Sequence, residues 1–279
     1  MIRRLSPAKV NLILRVLGKR EDGYHEIASL MQAISLYDEL IFYPKKAEGI
    51  TLRCPESGLP EDERNLVYRA AQAFFSRSGV AGGVEIELSK RIPMAAGLGG
   101  GSSNAAVTLS TLNEIHGSPL PGDVLSSLAA SLGADIPFFL FGNRAWAFGI
   151  GERLEPADPL PSFDLVLLHP PLEVPTGPVY QGLNLGLTNG PINYSIPRFY
   201  TICDVAQGLW NDLESVTLKR HPELQELKNL LLRKGALGTL MSGSGPTVFG
   251  IFERGEDARR AAAALTGSGK WGVYTARSL

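Results

Sequence analysis

The chain has 279 residues, 44% hydrophobic and 20% charged, with a formal net charge of −1. That length suits one large domain or two modest ones, and the near-neutral charge supplies no basic field for nucleic acid or an anionic membrane. The two cysteines, Cys54 and Cys203, could pair, but with only four histidines and no close Cys/His spacing a reduced cytoplasmic protein without structural zinc is the simpler reading. No secretory signal is visible, since Lys9, Asn11 and Arg15 interrupt the N-terminal apolar stretch. No segment reaches the ~20 apolar residues of a membrane span.

Residues 4–17 read as a strand, with Val10, Leu12, Leu14 and Val16 on a core face and Lys9, Asn11, Ile13 and Arg15 on the other. After the turn signal Asp22-Gly23 the chain is expected to run extended from Tyr24 to Tyr43. A polar loop at 54–64 leads into a helix over Asn65–Ser78 that Gly79 stops. Strand 84–92 and helix 102–116 flank a glycine-rich segment, and a further helix spans Pro121 to Leu132. Gly133-Ala134-Asp135-Ile136-Pro137 breaks that helix, with Ile136 pushed toward extended geometry by the proline. An apolar segment around Trp146 follows, and the stretch Pro156 to Pro161 links two halves. In the second half, strand 163–169, loop 184–199, helices near 200–209 and 222–234, a hairpin of 237–242 with 247–252, helix 256–265 and strand 272–277 follow the split βαβ order of a ferredoxin-like layer.

Chemistry concentrates first at Pro93-Met94-Ala95-Ala96-Gly97-Leu98-Gly99-Gly100-Gly101-Ser102-Ser103-Asn104. Glycines where a strand hands over to a helix open backbone N–H groups to a ligand, and the helix start adds positive partial charge. That combination points to an anion, and to phosphate first. The segment is neither a P-loop, lacking the Gly-Lys-Ser/Thr ending, nor a dinucleotide fingerprint, since Ser102 or Asn104 stands where the third glycine belongs. A tight turn would explain some of the glycines, but not all of them together with two serines.

Lys9 and Asn11 leave one strand face roughly 7 Å apart. Alone they read as solvated residues, but Ser6-Pro7-Ala8 before them and Asp22-Gly23-Tyr24-His25 after them suggest a site in which Tyr24 stacks and His25 hydrogen-bonds a planar group. Asp135 is either a turn aspartate or a carboxylate held ready to accept a proton; with a lysine to stabilise phosphate charge, it makes the minimum set for phosphoryl transfer. Met241-Ser242-Gly243-Ser244-Gly245-Pro246 needs no ligand to be a hairpin, and Val174-Pro175-Thr176 with Tyr180 is uninformative by itself.

Together, Ser6 to Leu12, Asp22-Gly-Tyr-His, Pro93 to Asn104, Gly133-Ala-Asp-Ile-Pro, Val174-Pro-Thr, Asn211-Asp-Leu-Glu and Met241-Ser-Gly-Ser-Gly resemble the GHMP kinases over nearly the whole chain. Asp22-Gly-Tyr-His and the triple glycine before Ser102-Ser103 resemble, more narrowly, the branch acting on a cytidyl-methylerythritol diphosphate. The resemblance implies an α+β fold of two domains. Residues 1–158 would form an ATP-binding α/β domain of the ribosomal-protein-S5-like domain 2 type, and 159–279 a ferredoxin-like domain. It implies ATP-dependent phosphorylation of the substrate's 2-hydroxyl, on the non-mevalonate route to isoprenoid precursors. Lys9 and Asp135 would be catalytic. Pro93, Met94, Ala95, Ala96, Gly97, Leu98, Gly99, Gly100, Gly101, Ser102 and Ser103 would hold ATP, and Asn11, Tyr24, His25, Thr176 and Tyr180 the substrate. Mg2+ is expected with ATP, Ser103 being only a candidate ligand, and no obligate protein partner is expected. The rivals are mevalonate- or homoserine-type kinases, whose substrates carry no base, and a non-catalytic ligand-binding relative.

Overall fold

A computed structural model describes residues 1–55, 57–183, 194–267 and 269–279. By packing, the chain divides into two compact units. One contains 1–8, 37–94 and 99–142, and the other 9–36, 95–98 and 143–279.

The expected first strand is β1 (Ile2–Lys19), and the extended run after Asp22-Gly23 is β2 (His25–Lys45). Both strands contribute to each unit. In the first unit, β3 (Gly49–Arg53) precedes helix α1 (Leu66–Ser78). Asn65 caps α1 by accepting from the Val67 N–H at 2.9 Å, and Gly79 closes it in the left-handed region at φ 66°. β4 (Gly83–Ser89) pairs antiparallel with β2 from Glu39↔Ser89 to Lys45↔Gly83, and parallel with β3. α2 (Gly100–Ile115), α3 (Gly122–Leu132) and α4 (Ile136–Phe141) complete this unit. Its core joins Leu40, Phe42, Val84 and Ile86 of the strands to Phe74 of α1, Leu109 and Leu112 of α2 and Ile136 of α4.

Two expectations change here. α2 begins at Gly100 rather than at residue 102, because Gly99, at φ 68°, is the residue that turns the chain into the helix. Ile136 is not extended. It opens α4 with Pro137 in the first turn, where a missing N–H costs nothing, and its complete burial in the core outweighs the steric bias of a residue before proline.

In the second unit β5 (Arg144–Gly149) pairs with β2 from Ile27↔Gly149 to Gln32↔Arg144, and β6 (Arg153–Pro156) pairs with β5. Then follow β7 (Asp164–His169), α5 (Thr176–Gln181), α6 (Ile202–Gln207), β8 (Trp210–Asn211), α7 (Glu214–Arg220), α8 (Glu223–Arg233), β9 (Gly238–Met241), β10 (Val248–Phe252), α9 (Gly255–Leu265) and β11 (Gly272–Arg277). Among the described residues one sheet has the order β3-β4-β2-β1-β8, with β5 paired to β2 and β6 to β5. The other has the order β11-β7-β10-β9 with every pair antiparallel, which is the ferredoxin-like arrangement expected for the second half. Leu224, Leu227 and Leu231 of α8 and Ala258, Ala261, Ala262 and Leu265 of α9 recur at helical spacing and pack with Val166, Leu168, Val248 and Phe252 of the sheet. Residues 184–193 of the expected loop 184–199 lie outside the described residues. Among the described residues no helix is long and apolar enough to cross a membrane.

Candidate active site

The hairpin between β9 and β10 turns through Ser242-Gly243-Ser244-Gly245, with Gly243 and Gly245 at positive φ (58° and 93°). It is packed against the glycine-rich segment. The Ser242 hydroxyl donates to the carbonyl of Gly97 at 2.9 Å, and a Cβ at Gly97 would stand 2.1 Å from the Ser242 carbonyl oxygen. Gly97 is also at φ +74°, so both backbone conformation and backbone approach require glycine there. The sequence offered this glycine as an opening for a ligand, whereas its constraint is the neighbouring turn.

Asn211 braces that turn from β8. Its amide donates to the carbonyls of Met241 at 2.8 Å and Gly243 at 2.7 Å, while its oxygen accepts from the Leu213 N–H. Glu214, at the start of α7, accepts from the Met241 N–H at 2.8 Å and is ion-paired with Lys228. The Asn211-Asp-Leu-Glu segment is therefore a brace for the Gly-Ser-Gly turn about thirty residues away. Local pattern gives no sign of such a partner.

Lys9 and Asn11 are both buried, at 4% and 3% exposure, so their face of β1 is not the solvated side that alternation suggested. Polarity alternates along the strand, but burial follows the strand's place in the sheet. The Lys9 ammonium donates to Asn11 Oδ1 at 2.7 Å, the Asn11 amide to Ser29 Oγ at 2.8 Å, and Ser29 to the carbonyl of Ile13 at 2.7 Å. The amine is thus positioned by a chain of hydrogen bonds anchored in backbone, and Ser29 is a member that the sequence reading missed. The Lys9 N–H also donates to the carbonyl of Leu98 at 2.9 Å, which ties β1 to the glycine-rich segment. Asn11 Oδ1 lies 3.6 Å from where a Cβ on Gly243 would stand, so Lys9, Asn11, Gly97 and the turn form one cluster.

α5 carries the next members. Thr176 and Tyr180 are four residues apart and share a helix face. Thr176 Oγ1 is 2.9 Å from Ser244 Oγ, which joins α5 to the same turn. Tyr180 packs beside His25, with ring centroids 5.2 Å apart and planes tilted by 37°. His25 is buried rather than a surface histidine, and burial, then the charge of Lys19, lowers its pKa below 6.5. Tyr24 is 59% exposed, its backbone fixed by Asp22 and Arg20. The structure thus brings His25 and Tyr180 together and leaves Tyr24 at the surface.

The start of α2 lies in the first unit. No side chain caps it, so its first backbone N–H groups keep their capacity for an anion. Ala96 and Leu98 are buried anchors of the glycine-rich segment, whereas Met94, Ala95 and Gly101 are exposed. Ser103 is fully buried and its hydroxyl accepts from Ser6 at 2.7 Å, an arrangement that does not offer it as a metal ligand. Among the described residues no group of three or more His, Cys, Asp or Glu is placed to hold a metal ion. Asp135 stands at the N-cap of α4, half-buried, and its side chain does not cap that helix.

Family models for the GHMP kinases N terminal domain and the GHMP kinases C terminal domain match residues 65–143 and 195–270. A protein of Syntrophus aciditrophicus, named 4-diphosphocytidyl-2-C-methyl-D-erythritol kinase, is 57% identical over 279 residues, covering 100% of both chains. This chain belongs to the GHMP kinases. A second relative of this GHMP kinase, from Syntrophotalea carbinolica and named in the same way, is 48% identical and covers 97% of this chain and 96% of its own. A crystal structure of a 4-(cytidine 5'-diphospho)-2C-methyl-D-erythritol kinase superposes with a TM-score of 0.84 at 41% identity, covering 99% of each chain. The Methanococcus jannaschii mevalonate kinase, with a TM-score of 0.73 at 13% identity, shares the fold alone. This GHMP kinase is accordingly an ATP-dependent phosphotransferase with the two-domain α+β fold of its family.

Proposed function

We propose that the chain transfers the γ-phosphoryl group of ATP to the 2-hydroxyl of 4-diphosphocytidyl-2-C-methyl-D-erythritol, in the cytoplasm, on the non-mevalonate route to isoprenoid precursors. The observation that carries this reading is the full-length 57% identity to a relative of that name. The buried His25 packed on Tyr180 supports it, because a flat aromatic face beside a hydrogen-bonding edge suits a base. Mevalonate and homoserine offer no base for it.

In this reading Pro93 to Ser103 take the ATP phosphates, with the uncapped N–H groups of α2 aimed at them. Lys9 stabilises charge on the transferring group, and Asp135 accepts or orients the proton of the attacking hydroxyl. Asn11 and Thr176 hold the substrate near the Gly-Ser-Gly turn, and His25, Tyr180 and Tyr24 hold its cytosine. Mg2+ travels with the ATP phosphates, and we assign it no protein ligand. In this reading the ATP-binding domain is 1–158 and the ferredoxin-like domain 159–279, a division that falls between the two matched family segments.

The test is ADP release from ATP with the cytidyl substrate, mevalonate or homoserine as acceptor. Release that requires the cytidyl substrate is expected. Equal release with mevalonate or homoserine would replace this reading by the broader kinase one, and ATP binding without release would make the chain a non-catalytic relative.

A further inference from the structure

Asp38, on β2, is fully buried. A carboxylate in such a place is costly unless its charge and lone pairs are met. Here one oxygen accepts the backbone N–H groups of Arg91 at 2.7 Å and Ile92 at 2.9 Å. The other accepts from the Asn104 amide at 3.0 Å and is ion-paired with Lys90. The Lys90 ammonium also donates to Asn104 Oδ1 at 3.2 Å. The Asn104 amide reaches Ser6 Oγ at 2.9 Å, and Ser6 donates to Ser103.

These partners fall at two places in the chain. Residues 90–92 lead into the glycine-rich segment, and Ser103 and Asn104 lie in the first turns of α2, where that segment ends. Between them, Gly100 leaves the Lys90 ammonium its space, since a Cβ there would stand 3.2 Å from it. One carboxylate therefore holds the entry and the exit of the segment together, although it comes from a strand more than fifty residues earlier.

We propose that Asp38 is a positioning residue for the nucleotide: it fixes both ends of Pro93–Ser103, and so sets where the uncapped N–H groups of α2 stand when phosphate binds. This rests on the reading of that segment as the ATP site. A displacement of the N–H groups by a fraction of an ångström loses hydrogen-bond alignment to phosphate, while Asn11 is bonded to Lys9 and Ser29, Thr176 to Ser244, and His25 packs on Tyr180.

The experiment measures dissociation constants of ADP and CDP by calorimetry for the parent chain, Asp38→Asn and Asn104→Ala, with thermal midpoints beside them. Asp38→Asn removes the charge that holds Lys90. Asn104→Ala keeps the Asp38–Lys90 ion pair and the two backbone bonds of Asp38 while removing the Asn104 bonds to Asp38, Lys90 and Ser6, so it tests the link to α2 without unpairing a buried charge. Both are expected to weaken ADP by about tenfold or more, with CDP held within about twofold. KM for ATP should rise with the ADP constant, while KM for the cytidyl substrate stays near that of the parent. If folded variants bind ADP like the parent, or lose ADP and CDP alike, Asp38 is a structural anchor only and the inference fails. A parent chain that binds CDP but not ADP contradicts the ATP reading of the segment, and the inference falls with it.

Discussion

Asp135→Asn should fold like the parent chain and turn over about 10²- to 10⁴-fold more slowly, the range of a lost general base. The carboxylate heads α4 without capping it, so the near-isosteric amide leaves that helix start as it was. Asparagine cannot accept a proton at neutral pH, and a group that works only in the transition state lowers kcat rather than raising KM. Steady-state kinetics with both substrates, together with the thermal midpoint, check this. Near-normal kcat in a folded variant would remove Asp135 from the chemistry.

Lys9 should show a comparable loss with a different accompaniment. Removing a cationic donor aimed at developing phosphoryl charge costs about 10²- to 10³-fold in turnover, by analogy with a lost oxyanion donor. The exposed strand face that polarity suggested would have left stability unchanged in Lys9→Ala. Burial of Lys9 and its 2.7 Å bond to Asn11 alter that expectation. Alanine strips Asn11 Oδ1 of this donor and empties space inside the sheet, so a loss of about 1–3 kcal/mol should accompany the kinetic defect. Lys9→Met keeps the apolar stem in place. It should recover part of the thermal midpoint and none of the turnover. Recovery of turnover with stability would make Lys9 a structural residue.

The contrast at Lys9 shows what a single sequence makes legible. Local chemistry came through well. Asn65 and Gly79 bound α1, Gly243 and Gly245 turn β9 into β10, and alternation from Val10 to Val16 marks one of the two buried faces of β1. The residues proposed for the site stand out as motifs too, because glycine, lysine and aspartate are distinctive in their own neighbourhoods. What failed depended on the rest of the chain. Burial of Lys9 and Asn11 follows from their place in the sheet, and Ile136 turns helical because the core of its unit takes it in. β8 has only two residues, Trp210 and Asn211, and exists because β1 pairs with them, as Ile13↔Trp210 and Leu14↔Asn211. α5 is too short for periodicity to reveal, so residue pattern alone says nothing of Thr176 and Tyr180, which the helix puts on one face. Asn211, Glu214 and Asp38 act across distances in sequence over which residue pattern carries no information.

The choice of base offers the most direct test. His25 is buried beside Tyr180, and burial, reinforced by Lys19, holds its pKa below 6.5. The ring is therefore neutral at pH 7, with one nitrogen donating and the other accepting. A lowered pKa leaves this state intact above 6.5 and loses it only as acid protonates the ring. A site that hydrogen-bonds one edge rejects an analogue that leaves its buried groups unpaired. The measurement is kcat/KM at pH 7.5 for the cytidine and uridine forms of the substrate, on the parent chain and on His25→Ala. The parent should use the uridine form poorly, and His25→Ala should narrow the gap by losing activity toward cytidine. A parent chain that treats the two forms alike would contradict base reading by His25 and, with it, the assignment of a cytidyl substrate.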